Sequence, residues 1–127
     1  MLSKYFSVEE ANALLPTVRP IVESVQRQHN RLLSFQTAAR YAAEGAEQGG
    51  GGMQEGSSYV AILVRLSDLT GELEKLGVQL KDYGRGLIDF PSFRGGRVVL
   101  LCWQLGEGDE VQWWHDVDAG FAGRQPL

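Results

Sequence analysis

The chain has 127 residues, enough for one domain with a real core, and its hydrophobic (43%) and charged (22%) contents are those of an ordinary globular domain. A net charge of −4 with no run of Lys or Arg makes a phosphate backbone or an anionic membrane surface a poor partner. A single cysteine, Cys102, excludes an internal disulfide and a zinc site built on paired cysteines.

The opening Met1 to Phe6 lacks an apolar signal region, and the acidic Glu9–Glu10 pair argues against an organelle transit peptide. No apolar run approaches transmembrane length, so the expected compartment is the cytoplasm, away from the membrane. Ser7-Val8-Glu9-Glu10 reads as a capping box, with Phe6 where a hydrophobic staple sits, so a helix should start here. Apolar residues at Leu14/Leu15, Val18, Ile21/Val22, Val25 and Leu32/Leu33 continue it with one wet face. Pro16 and Pro20 predict a kink or short break, after which the pattern resumes to about Glu44.

The segment 45–58, with Gly49 to Gly52 consecutive, has no apolar period and reads as a flexible connector. Its glycines lack the Gly-Lys-Ser/Thr continuation and preceding strand of a phosphate loop. A second helix should begin near Ser57 or Ser58, with Ile62, Leu66, Leu69, Leu73 and Leu76 as a heptad-like seam and Gly77 just past its end. The two helices, within 7–76, should form a long antiparallel hairpin.

After Gly77 the period changes. Val78 to Tyr83, Leu87 to Phe90 (ended by Pro91), Arg97 to Leu105 and Glu110 to His115 read as short strands, with turns at Gly95-Gly96 and Gly106 to Asp109. The expected fold is α+β: the hairpin packed on a three- or four-stranded antiparallel meander over 78–118, with an irregular tail over 119–127.

Several runs then resemble one family. They are Tyr5 to Pro16, Lys81-Asp82, Gly86 to Pro91, Leu101-Cys102-Trp103 with Leu105-Gly106-Glu107, Trp114-His115, and Gly120 to Arg124. Together they are similar to the small bacterial family called domain of unknown function 2203, over nearly the whole chain except the Gly-rich connector. The resemblance implies membership of a pattern and brings no activity with it.

The candidate chemistry is sparse. His29 takes a seam position in the series Val22, Val25, His29, Leu32, where an apolar residue is expected; it reads as a core-edge histidine or as half of a His–carboxylate pair with Glu72 across a symmetric hairpin. His115, at the end of Trp113-Trp114-His115-Asp116, reads as an exposed strand-end residue or as a metal or proton site with acids nearby. Asp82, Asp89 and Glu107 are the acids within the family motifs, and Asp89 can equally face water. Cys102, inside Val98 to Trp103, reads as a buried thiol acting as a small hydrophobe. Arg124, in the Gly-rich tail Gly120-Phe121-Ala122-Gly123-Arg124, suggests a tail that docks on the sheet, with the guanidinium pairing Asp89 or Glu107 or binding an anion. Trp113 and Trp114 must face opposite sides of a strand, which hints at an interface for one of them. No Ser-His-Asp or Cys-His arrangement stands out.

The leading expectation is a non-catalytic binding or interaction module that self-associates as a homodimer to cover helix flanks and sheet edges. The alternative is a divalent-metal-binding protein or metal-dependent enzyme using His29 and Glu72, or His115 with Asp82, Asp89 and Glu107.

Overall fold

The computed structural model describes residues 4–44 and 52–127. Two helices come first, α1 (Val8–Glu44) and α2 (Gly52–Leu76). Five strands follow: β1 (Gln79–Asp82), β2 (Leu87–Arg94), β3 (Arg97–Gln104), β4 (Trp113–Asp116) and β5 (Gln125–Pro126), with one 3-10 turn at Phe121–Gly123. The sheet order is β1-β2-β3-β4-β5, every neighbour antiparallel. The fold is the α+β hairpin-on-sheet expected, with five strands instead of three or four. No helix among the described residues is long and apolar enough to cross a membrane.

The capping box is built as its residue types dictate. The Glu10 amide donates to Ser7 Oγ at 3.0 Å, and the Ser7 amide donates to Glu10 Oε1 at 2.9 Å. Helix α1 then runs through Pro16 and Pro20 without the short break, one of the two outcomes expected. Both prolines lie on its exposed side, where the carbonyls they orphan can reach water. The buried series Leu15, Val18, Val22 and Val25 stays in phase across them, and its packing holds the helix together. At the C-terminus of α2, close to the start of α1, the Val78 amide donates to the Leu73 carbonyl and the Gly77 amide to the Glu74 carbonyl, the paired closure of a Schellman motif.

Helix α2 starts at Gly52, before the Ser57 or Ser58 expected, so 52–58 is not connector; the rest of that segment, 45–51, lies outside the described residues. The earlier start moves the fold-back toward the N-terminus. The α1 seam on either side of His29, Val25 and Leu32, therefore packs on Ile62, Leu66 and Leu69 rather than near Glu72.

The helices cover the inner face of the sheet. Ile88 and Phe90 of β2, Val99, Leu101 and Trp103 of β3, and Trp114 of β4 point inward onto Phe6, Ala11, Leu15, Val18, Val22 and Leu73. Strand β2 does not stop at Pro91. The Pro91 carbonyl accepts from the Phe6 amide at 2.7 Å, so the side of Pro91 that lacks an N–H faces away from β3, beyond the end of β1. A proline can sit there without losing a ladder bond.

Candidate functional site

Alternation along the strands sends a second set of side chains to the outer face, away from the helices. The register aligns Asp89 of β2 with Cys102 of β3, and Cys102 with Trp113 of β4; His115 lies two residues along β4, opposite Leu100. Asp89, Cys102 and His115 thus meet on one face of three adjacent strands. They are 1%, 1% and 3% exposed. One potential ligand atom from each, a carboxylate oxygen, Sγ and an imidazole nitrogen, all lie within 4.8 Å of one another.

The hydrogen bonds define the protons. His115 Nδ1 lies 2.8 Å from the Asp116 carbonyl oxygen, an acceptor only, so Nδ1 carries a hydrogen. His115 Nε2 lies 3.1 and 3.2 Å from the two Asp89 oxygens, so one further proton is shared between the ring and the carboxyl. Burial is the largest influence on Cys102 and, with the nearby Asp89 charge, pushes its thiol up to about 12. Arg124 opposes this: its Nη1 lies 3.8 Å from Cys102 Sγ.

Arg124 arrives from the tail, which folds back on the outer face. Its Nη1 donates to Glu107 Oε1 at 3.0 Å and lies 2.9 Å from Oε2, in a pair only 12% and 17% exposed. Glu107 Oε1 also accepts from the Gln104 amide, which fixes the carboxylate in the β3–β4 turn. The guanidinium covers the Phe121 and Trp113 rings at 4.2 and 4.9 Å. Trp113, the tryptophan expected to seek a partner surface, is half-buried under the chain's own tail; Trp114 is in the core.

Of the remaining candidates, Asp82 and His29 both adjoin Gly84 in the β1–β2 turn, away from this cluster, and Glu72 stands apart from both. Asp82 Oδ1 accepts from the Arg85 amide at 2.9 Å and caps the β1–β2 turn. His29 is half-buried, with its ring 5.8 Å from that of Tyr83 in the same turn. Glu72 is exposed on α2 and is not among the ion-pair partners of the described residues. Neither Asp89 nor His115 faces water, as their plainer readings had it.

Two contributors escaped the sequence reading. Cys102 was read as a hydrophobe, and only the β2–β3 register places it beside Asp89. Asn12, in the opening motif, accepts from the Val111 amide at 2.7 Å and ties the β3–β4 loop to α1.

A family model described as "Uncharacterized conserved protein (DUF2203)" matches residues 4–127, and the chain belongs to that family. No curated protein and no solved structure matches the chain.

Proposed function

We propose that this member of the DUF2203 family is a divalent-metal-binding protein whose centre is Asp89, Cys102 and His115. The observation that carries the reading is the convergence of one oxygen, one sulfur and one nitrogen within 4.8 Å on a buried face. Metal–ligand bonds of about 2.0–2.3 Å in tetrahedral geometry place neighbouring ligand atoms roughly 3.3–3.7 Å apart, so the set needs only a small contraction. The Nδ1 hydrogen bond of His115 to a backbone carbonyl is the outer support a ligating imidazole uses to aim Nε2. Thiolate, imidazole and carboxylate together suit Zn²⁺ or Co²⁺ better than Mg²⁺ or Ca²⁺.

Charge supports the same reading. Without metal the cluster is neutral: the Asp89–His115 pair shares its proton, Cys102 is a thiol, and Arg124 balances Glu107. A divalent cation would displace the shared proton and the thiol proton and leave the cluster neutral again. Burial of all three ligands favours tight holding over turnover, and three protein ligands leave one position of a tetrahedron open.

The test is titration of chelator-treated protein with Co²⁺. One equivalent should bind with a thiolate-to-cobalt charge-transfer band, and calorimetry in buffers of differing ionisation enthalpy should report about two protons released per ion, since ligands bind metal deprotonated. Cys102→Ser should abolish the band and weaken binding. Absence of binding at micromolar protein, or binding of undiminished affinity in Cys102→Ser, removes the proposal.

A second reading, the self-associating module, draws support from Val60, Leu63 and Val64, which are 56%, 42% and 54% exposed at helical spacing on α2. A homodimer through this stripe should appear in light scattering at micromolar concentration and dissociate in Leu63→Glu. A 14.0 kDa particle for the parent chain would end this reading.

A further inference from the structure

The tail covers only part of the outer face of the sheet. Beyond it, the other half forms a groove of about 520 Å³, within the ~300–1,000 Å³ of small-molecule sites. Its apolar surface comes from Pro91 of β2, Val98 and Leu100 of β3, and Val117 just past β4. Lys4 and Lys81 also line it, against one acid, Glu74.

We propose that this groove binds a small amphipathic carboxylate, with its hydrocarbon body on Val98, Leu100 and Val117 and its carboxylate between Lys4 and Lys81. Charge complementarity selects the occupant. The chain as a whole carries −4, yet this concavity carries two cations and one anion. Among the described residues neither lysine forms an ion pair. The Lys4 ammonium sits 5.0 Å over the Phe6 ring, and Glu10, whose carboxylate feels its charge, is already held by the Ser7 amide and hydroxyl. An ammonium at the lip of an apolar floor is screened less than one in open water, so a carboxylate gains more there. Val117 is 56% exposed, which leaves apolar area for a hydrocarbon to cover. A cationic amphiphile would meet the wrong sign, and a neutral one would leave the lysines unused.

The site is independent of the metal reading, because none of Asp89, Cys102 and His115 lines the groove. The experiment keeps the two apart by working with the full chain in excess EDTA. Decanoate, decanol and decylammonium, each below its aggregation threshold, are titrated while amide shifts are followed by NMR. Decanoate should bind tightest, with the largest shifts at Val98, Leu100 and Val117. The double variant Lys4→Gln/Lys81→Gln should weaken decanoate by about tenfold or more, the scale of a lost charge-assisted hydrogen bond, and leave decanol unchanged. Three outcomes overturn the proposal: decylammonium binding as well as decanoate, full affinity in the double variant, or shifts confined to the Val60–Val64 stripe.

Discussion

Cys102 shows how burial, helped by a neighbouring charge, sets a measurable property. Its thiol is pushed from an ordinary 9.0 up to about 12, first by burial and then by the Asp89 charge. Below pH 9 the thiol is protonated in both folded and unfolded chains and has no effect on the balance. Above it the unfolded chain gives up the proton while the folded chain keeps it, so stability falls as pH rises through the window from 9 to about 12. The slope from this one group approaches about 1.4 kcal/mol per pH unit. Urea denaturation of metal-free protein, parent against Cys102→Ser, isolates it from other alkaline titrations: the advantage of the parent should shrink with pH above 9. A constant difference would show the thiol to be in contact with water. Glu10 works in the opposite sense. The Ser7 backbone hydrogen bond, then that with the Ser7 side chain, holds its carboxyl below the usual range, so its share of stability is present at neutral pH and lost as pH falls.

At the scale of elements, the turns carry the tightest steric demands. Gly86, between β1 and β2, has φ +61°, and a Cβ there would lie 2.5 Å from Leu105 Cδ1 and 2.9 Å from Val22 Cγ1. Gly95 has nearly the same φ, +60°, but open space around it. Gly95→Ala should therefore cost only the left-handed backbone penalty, about 1–2 kcal/mol, and Gly86→Ala that plus about 1–3 kcal/mol of overpacking. Chemical denaturation of the two variants tests this; equal losses would mean that Leu105 swings away freely. How far elements were legible follows from how local their signals are. The Ser7–Glu10 box, the two helical seams and the Gly77 stop are written within a few residues, and all three are in the structure. Helix α2 reaches back to Gly52 across two glycines, Gly52 and Gly56, which disfavour a helix and mask the helix-forming Met53-Gln54-Glu55 between them. Pro91 looked like a strand end because its missing donor is harmless only at an edge, a fact of sheet order. Strand β5 is two residues long, too short for any alternation to show. The candidate site was legible as residue types but not as a constellation: His115 and Asp89 are 26 residues apart and Cys102 lies on the strand between them, so their meeting depends on register alone. His29 and Glu72 were paired on an assumed symmetric hairpin, and the early start of α2 removed that symmetry.

At the scale of the molecule, the tail is the second cover of the sheet. Helices protect the inner face; on the outer face Arg124 lies over the Trp113 and Phe121 rings and beside Cys102, while β5 extends the sheet next to β4. The Leu127 amide completes the attachment by donating to the Gln112 carbonyl at 3.0 Å. Truncation after Asp118 should cost about 2–4 kcal/mol, from lost apolar burial and from a Glu107 carboxylate left without its partner. The same truncation should speed alkylation of Cys102 by iodoacetamide, because the thiol loses its cover. Stability and labelling both unchanged would mean that the tail rests on the sheet without protecting it.

The sequential strand order has a further meaning for a chain made from one end. Each strand pairs with the one synthesised just before it, so β1 to β4 can assemble as they emerge, and Asp89, Cys102 and His115 come together in that sequence. Arg124 leaves the ribosome after all of them. Arg124 follows the end of β4 by eight residues, so at roughly 5–20 residues per second the three side chains would form a nascent, open-sided cluster for about 0.4–1.6 seconds before it is added. That interval is when a cation could enter without any part of the finished fold having to open.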